Sequence, residues 1–299
     1  MKAIGYKENL DIENENSLQD IELETPKAQG RDILVEVKAI SVNPVDYKVR
    51  SGMKAEGDKW KVIGWDATGI VKEVGEDVSL FKVGDKVWYA GDFTRQGSNA
   101  EYQLVDERIV GNKPSNLSYA EAAALPLTTL TAWELLFDRL QVSKDDDSKS
   151  ILIIGAAGGV GSIMVQLAKQ LTKLNIIGTA SREETTSWLQ DLGVHNVLNH
   201  KHKLSEELEK HNLPAPDYVV SLNGTEHHID EIVKLIKPQG KFGFIDDPKS
   251  LDVMPFKSKA VSTHFEFMFT RSMFQTEDMI EQHHILNKVS DLIDNTIAF

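Results

Sequence analysis

The sequence predicts an α/β protein of two domains, an irregular β-barrel followed by a doubly wound parallel sheet, and three observations carry that reading. At 299 residues the chain is long enough for two cores at roughly 150 residues per domain. From Met1 to about Asn112 it is built of short β-rich segments punctuated by Gly and Asp. Beyond Pro114 apolar runs alternate with amphipathic stretches, the pattern of strands separated by helices. With 41% hydrophobic and 26% charged residues, disordered and fibrous classes are excluded.

In the first region Ile33 to Val37, Gly69 to Val74, Lys86 to Ala90 and Glu101 to Val105 read as strands, with one helix at most. Gly64, Gly69, Gly75, Gly84 and Gly91 fall where strand ends and tight turns require them, and Gly84-Asp85 is a good turn dipeptide. Ser118 to Ala124 and Thr129 to Leu140 have helical composition and spacing. Ile151 to Ile154 is a continuous apolar run, as a parallel strand buried on both faces should be. A helix from Gly158 to about Lys173 follows, turning Ile163, Met164, Leu167, Ala168 and Leu171 inward and Lys169 and Lys173 outward. Strands at Asn175 to Ala180, Asn196 to Asn199, Tyr218 to Leu222 and Lys241 to Ile245, with helices near Thr185 to Leu192 and Ile229 to Ile236, complete the alternation. Val261 to Phe269 alternates, placing Val261, Thr263, Phe265, Phe267 and Phe269 on one face, and predicts a half-buried strand near a sheet edge. Thr276 is expected to cap a last helix running to about Asp294.

Charge and cysteine content narrow the chemistry. The 33 basic and 46 acidic residues give a net charge of -13, with no long basic block, so nucleic acid and anionic membranes are not expected partners. The absence of cysteine excludes disulfides, thiolate nucleophiles, iron–sulfur clusters and every zinc site that needs a Cys ligand. No apolar run approaches the roughly 18 residues of a membrane span, and acidic residues enter by Glu8, so a cytoplasmic protein is expected. Lys144 to Asp147 reads as a solvated loop.

Directly after the first buried strand stands Gly155-Ala156-Ala157-Gly158-Gly159-Val160-Gly161, followed by the amphipathic helix. A glycine fingerprint between strand and helix lets a pyrophosphate approach the backbone, while the helix N-terminus supplies free N–H groups. The alternative is a turn whose glycines serve only strand–helix packing. At the end of the second strand NAD sites place an acid for the ribose 2′-OH, whereas this chain has Ala180-Ser181-Arg182. Arg182 can pair with a 2′-phosphate and Ser181 can bond it, which favours NADP(H); a surface pair of Arg182 with Glu183 is the other reading. His200, at the end of the third strand, is a further candidate on the adenosine side, although a lone His is more often structural.

These residues resemble the medium-chain dehydrogenase/reductase superfamily over nearly the whole chain. The specific part is Gly64, Asp66, Gly69, Val71, Val74 and Gly75 followed by Phe81, Gly84, Asp85 and Val87, joined to the glycine turn. Ser41 to Asp46 and Ala123 to Trp133 look most like the quinone oxidoreductase and zinc-type alcohol dehydrogenase-like branches. The resemblance implies a GroES-like β-barrel catalytic domain, a Rossmann domain with a doubly wound parallel sheet, and an active site in the cleft between them. The expected division is 1–117 for the catalytic domain, 118–274 for the NADP-binding domain, and 275–299 for a C-terminal helix returning toward the first domain. Relatives continue past this helix with further strands, so the end at Asn295 to Phe299 reads as incomplete.

Where metal-dependent relatives place Cys, His and Cys or an acid around zinc, the matching positions here are Asn43, Trp65 and near Leu127, and Val45 stands at the hydroxyl relay. Asp66 is retained, but one carboxylate does not make a zinc site. Adjacent His227 and His228, like His283 and His284, diverge on a helix. Zinc-free chemistry is therefore expected, and with it a substrate whose reduction leaves a delocalised anion. The resemblance implies Thr131 as a hydroxyl near the nicotinamide and Asn43 as an amide donor, an Asx-type turn before Pro44 being equally open for Asn43. Tyr47 is a candidate donor or substrate wall, although quinone reductases carry their tyrosine one place later, at Lys48 here. Asp46 is assigned to ordering the loop rather than to proton transfer. By position in the implied fold, Asn223, Gly224, Phe244, Ile245, Asp246, Phe269, Thr270 and Arg271 line the rest of the cofactor cleft. The expected function is a zinc-independent NADPH-dependent oxidoreductase acting on a quinone or α,β-unsaturated carbonyl, homodimeric through its Phe-rich edge strand. A zinc-type alcohol or aldehyde dehydrogenase, and a catalytically idle NADPH-binding sensor or partner protein, are the alternatives.

Overall fold

Short strands with one buried face open the computed structural model, which describes residues 1–296. β1 (Lys2–Tyr6), β2 (Gln19–Glu22) and β3 (Asp32–Ile40) precede α1 (Pro44–Gly52), which starts on Pro44 because proline at the first helical turn gives up no needed N–H. β4 (Lys61–Val62), β5 (Ala67–Val74), β6 (Lys86–Tyr89), β7 (Tyr102–Asp106) and β8 (Val110–Asn112) follow. They form a three-stranded sheet in the order β2-β1-β4 and a five-stranded antiparallel sheet in the order β7-β3-β5-β6-β8. Register shifts at Leu34/Val35 and Val37/Ala39 bend β3 against β5, as a curled sheet needs. Ile33, Val35, Val71, Val87, Val105 and Ile109 fill the core of this unit. α2 (Tyr119–Ala123) is capped by Ser118, whose hydroxyl accepts from Glu121 N while Glu121 bonds back to Ser118 N. α3 (Pro126–Trp133) continues into a π-helical turn at Glu134–Arg139.

The second unit is a six-stranded parallel sheet. β9 (Ser150–Ile154), α4 (Gly159–Leu171), β10 (Asn175–Thr179), α5 (Glu183–Asp191), β11 (Asn196–Leu198), α6 (Leu204–Lys210), β12 (Tyr218–Ser221), α7 (Thr225–Leu235), β13 (Lys241–Phe244) and β14 (Ser262–Phe265) make the order β11-β10-β9-β12-β13-β14. All five residues of β9 are buried, which explains its unbroken apolar run. Leu152, Ile154, Leu198, Val219, Ile232, Phe242 and Phe256 form the core. α8 (Thr270–Phe274) and α9 (Glu281–Thr296) then rejoin the first unit: Leu286 lies against Gly111, Asn287 Oδ1 accepts from Asn112 N at 2.8 Å, and Asp294 accepts from Ser115 N and Asn116 N.

The chain divides into Met1–Leu130 together with everything from Met268 onward, and Thr131–Phe267. This differs from the division at 117/118 and 274/275 expected from sequence, because the Thr68 hydroxyl donates to Tyr119 O at 2.8 Å and α2 packs on β3 and β5. Two element expectations need correction. Thr276 does not cap the last helix, which begins at Glu281; its hydroxyl bonds the Asp278 carboxylate at 2.6 Å instead. The strand expected over 261–269 is shorter, Ser262–Phe265, though it does lie at the sheet edge; beyond it Glu266, Met268 and Phe269 are buried, while Phe265 is 69% and Phe267 47% exposed. α6 is unforeseen, since its only inward apolar residues, Leu204 and Leu208, sit among charges. The expected incomplete end falls partly on Ile297 to Phe299, outside the described residues. Among the described residues no helix is long and apolar enough to cross a membrane.

Candidate active site

The glycine turn starts where β9 ends. Gly155 has φ +81°, a conformation that favours glycine, and reverses the chain toward α4. The other two glycines of interest answer different demands. A Cβ on Gly161 would meet Ala156 O at 2.4 Å, so packing alone forbids a side chain there. A Cβ on Gly158 would meet nothing closer than Gly155 O at 3.4 Å, and Gly158 and Gly159 are exposed, so the interior makes no such demand. Gly158 also caps α4 without a side-chain hydrogen bond, which leaves the first N–H groups of a 13-residue helix open. Ala157 and Val160 flank this opening, half-buried. Such a bare cradle at a helix N-terminus fits a dinucleotide pyrophosphate.

The neighbouring strand ends extend the cradle. β10 and β11 run in parallel register with Thr179 opposite Leu198, so Ser181-Arg182 and His200 leave the sheet side by side. Arg182 is exposed at the start of α5, where its carbonyl accepts from the Thr185 and Thr186 hydroxyls. Its guanidinium makes no ion pair with Glu183 among the described residues. It borders an open cavity of about 570 Å³ with Ala157, Thr185, Trp188 and Asp191. Trp188 is held there by an indole N–H bond to Ser162 Oγ at 2.9 Å. Past β12, Asn223 is exposed and Gly224 takes φ +67°. Thr225 then ties β12 to β13, its N–H donating to Asp246 Oδ2 at 2.9 Å and its hydroxyl bonding Asp246 and Ser221. Phe244 is buried and Ile245 half-buried beside it.

The first unit carries the other candidates. Asn43 N–H donates to Asp46 Oδ2 at 2.7 Å, which closes the first turn of α1. The Asn43 amide donates to Asp66 Oδ2 at 2.8 Å, and Leu127 N–H donates to Asp66 Oδ1 at 2.8 Å. Asp66 is fully buried, and burial pushes its carboxyl well above the usual carboxylate range, with the Asn43 and Leu127 bonds opposing and the Asp46 charge adding to the rise. Burial raises Asp46 as well. The Tyr47 ring is 60% exposed on α1. Phe269, Thr270 and Arg271 belong to this unit, not to the parallel-sheet unit: the Phe269 ring meets Trp65 edge-on at 6.5 Å, and Arg271 Nε donates to Asp278 at 3.0 Å. Thr131, buried in the last turn of α3, falls in the parallel-sheet unit.

The positions that match zinc ligands do not fit the metal. Zinc takes thiolate, imidazole or carboxylate donors. Trp65 and Leu127 offer none, and the Asn43 amide is bonded to Asp66. Trp65 is fully buried, and its indole N–H has no hydrogen-bond partner among the described residues.

Sequence reasoning missed Thr179, Trp188 and His228. Thr179 lies inside a predicted strand, where a β-branched residue needs no special reason, and only its contacts mark it: Gly155 N–H donates to its hydroxyl at 3.1 Å, and His200 Nδ1 lies 3.3 Å from the same oxygen. The His228 ring sits 6.4 Å from that of His200, a meeting of two elements that no local motif announces.

Comparison with known proteins agrees with this architecture. The family model for the alcohol dehydrogenase GroES-like domain matches residues 29–132, and that for zinc-binding dehydrogenase matches 159–282. A zinc-type alcohol dehydrogenase-like protein of Staphylococcus aureus (strain MSSA476) is 42% identical over 302 residues, spanning 99% of this chain and 88% of that protein. The crystal structure of a protein from Rhizobium etli CFN 42, provisionally assigned as a zinc-dependent alcohol dehydrogenase, superposes with a TM-score of 0.95 at 56% identity, over 98% of this chain and 86% of that one. A 2-methylene-furan-3-one reductase of Solanum lycopersicum is 35% identical over 223 residues, 72% of this chain and 55% of that protein. The barrel, the parallel sheet with its glycine turn and these likenesses together place the chain in the medium-chain dehydrogenase/reductase superfamily of oxidoreductases, with the zinc-type alcohol dehydrogenase-like proteins.

Proposed function

We propose that this chain is a cytoplasmic NADP(H)-dependent reductase that passes hydride to a quinone or an α,β-unsaturated carbonyl without zinc. The observation that carries the proposal is the bonding around Asp66: two of the three positions that match zinc ligands give their N–H groups to this one carboxylate, and the third is a buried tryptophan. Without a Lewis acid, a simple ketone is hard to reduce, because charge localises on one alkoxide oxygen. A quinone or enone spreads that charge, and hydrogen-bond donors suffice.

The nicotinamide supplies the hydride when the cofactor is bound. The chain's own part begins at the glycine turn, where the open N–H groups of α4 receive the pyrophosphate, and continues at Ser181 and Arg182, which receive a 2′-phosphate. The Thr131 hydroxyl and the second amide proton of Asn43 are the donors assigned to the developing enolate or phenolate. Asp66 is a positioning residue that holds Asn43. The tomato relative supports the substrate class, since its name denotes a ketone conjugated to a methylene group.

The test is NADPH oxidation against a panel of quinones and enones, before and after EDTA. Activity that persists supports the proposal; activity abolished by chelation and restored by zinc overturns it. The edge position and exposure of Phe265 on β14 support a homodimer through that strand. Sedimentation as a monomer of 33.4 kDa would remove that part.

A further inference from the structure

We propose that Thr179, His200 and His228 form a proton-linked clamp for the cofactor's 2′-phosphate, in which Thr179 holds the His200 ring by Nδ1 and the imidazole pair takes up one proton when the phosphate binds. The proposal rests on the NADP(H) reading above and deepens it.

The Thr179 hydroxyl holds the imidazole by one nitrogen. Thr179 is buried, and its oxygen already accepts the Gly155 N–H at 3.1 Å. The same oxygen has a second lone pair and one proton, and its other partner, at 3.3 Å, is His200 Nδ1. That contact occupies Nδ1 and leaves Nε2 without a hydrogen-bond partner among the described residues; once the ring is protonated, Nδ1–H donates to Thr179 and Nε2–H faces outward as a second donor. The same chain of bonds fastens the end of β11 to the first residue of the glycine turn, so the phosphate cradle and His200 move as one. The parallel register sets His200 beside Ser181 and Arg182, the residues assigned to the 2′-phosphate. That neighbourhood favours this phosphate over the pyrophosphate, whose place is at the start of α4.

His228 supplies the proton linkage. Its ring stands 6.4 Å from that of His200 and nearly perpendicular to it. Burial comes first in holding both imidazoles below their ordinary range. Lys201 adds to this at His200; His200 and His227 add to it at His228, and Asp246 opposes them there. The free pair is therefore neutral at pH 7. A phosphate dianion reverses the balance by favouring imidazolium. Two imidazolium rings this close repel, so one proton is taken up rather than two.

The experiment measures NADPH and NADH dissociation constants from pH 6 to 8, with histidine NMR titrations of free and NADPH-bound protein. For the wild type, NADPH binding should tighten about tenfold over that fall in pH, NADH binding should stay flat, and one histidine should become protonated in the complex. His200→Asn and His228→Asn should abolish the tightening. Thr179→Ser should retain it and Thr179→Val should reduce it, separating the hydrogen bond from the packing. If both histidine variants keep the wild-type pH dependence, or no histidine gains a proton in the complex, the clamp is wrong. If NADPH binds no tighter than NADH at any pH, the NADP(H) reading itself fails and the clamp with it.

Discussion

Around Asp66 the protein's polar groups bond to one another, whereas around Gly158 and Arg182 they stand open to solvent. Asn43, Asp46 and Asp66 are buried and joined by short hydrogen bonds. Gly158, Gly159 and Arg182 are exposed, the first N–H groups of α4 are uncapped, and a cavity of about 570 Å³ lies between Ala157 and Arg182. In the first region the carboxylates are tied to neighbouring N–H groups, so Asp66 and its partners should matter for stability. The second is arranged as a receptor, so its residues should matter for binding and hardly for folding.

The largest expected effect breaks the first region. Asp66→Ala removes the acceptor of the buried Asn43 amide and the half-buried Leu127 N–H, each costly when unmet, and should lower stability by about 2–4 kcal/mol. A thermal melt should show this as a fall of roughly 5–10 °C. Because burial lifts the Asp66 pKa, its contribution is fully present below about pH 4 and declines as pH rises through the folded value. The loss in the variant should accordingly be greatest in acid. A melt unchanged at every pH would show that the network is not what holds α1 and Leu127 together.

Arg182→Ala tests the second region in the opposite sense. The side chain is exposed and unpaired with Glu183, so the melt should shift by less than about 0.5 kcal/mol. NADPH affinity should fall about 10- to 100-fold with NADH affinity unchanged, as expected when a charge-assisted bond to a 2′-phosphate is lost. Equal losses for both cofactors would reject the 2′-phosphate assignment.

A smaller effect sharpens the comparison inside the parallel-sheet unit. Burial and the neighbouring Glu134 push Glu266 up to about 9, with Arg139 opposing from 2.8 Å. The folded value lies above the unfolded one near 4.5, so this group's contribution is complete below that pH and is lost as pH rises through about 9. Glu266→Gln keeps the neutral form throughout. The variant should match the wild type at pH 5 and melt about 3 °C higher at pH 9. An offset that is the same at both values would remove the titration from the account.

The barrel and the parallel sheet were legible because their signals are local: an apolar run at Ile151–Ile154, a glycine turn before an amphipathic helix, and turn glycines at strand ends. Glu266 was not, because period-two alternation tells which residues share a face and not which face is buried. The buried acid is stabilised by Arg139, 127 positions away. Asp66 could be picked out by resemblance, but its bonds to Asn43 and Leu127 come from three separate segments. Thr179 and His228 lie in ordinary strand and helix sequence, and their interest exists only once β10, β11 and α7 are assembled.

The smallest effect concerns Tyr47, the one exposed candidate in a region otherwise closed. Its backbone carbonyl accepts from the Ser51 hydroxyl at 2.8 Å, which is a helix contact and asks nothing of the phenol. The ring is 60% exposed, so Tyr47→Phe removes a group that solvent already serves and should leave the melt unchanged within about 0.5 kcal/mol. If the donors to the reduced substrate are Thr131 and Asn43, kcat/KM with a quinone should change by less than about threefold, since a well-placed proton donor is worth at least about 100-fold. A loss of that larger size with an unchanged melt would make Tyr47 a donor. The Asp66 region would then hold an open reactive group as well as a closed network, and the contrast between the two regions would survive only for the residues that Asp66 itself binds.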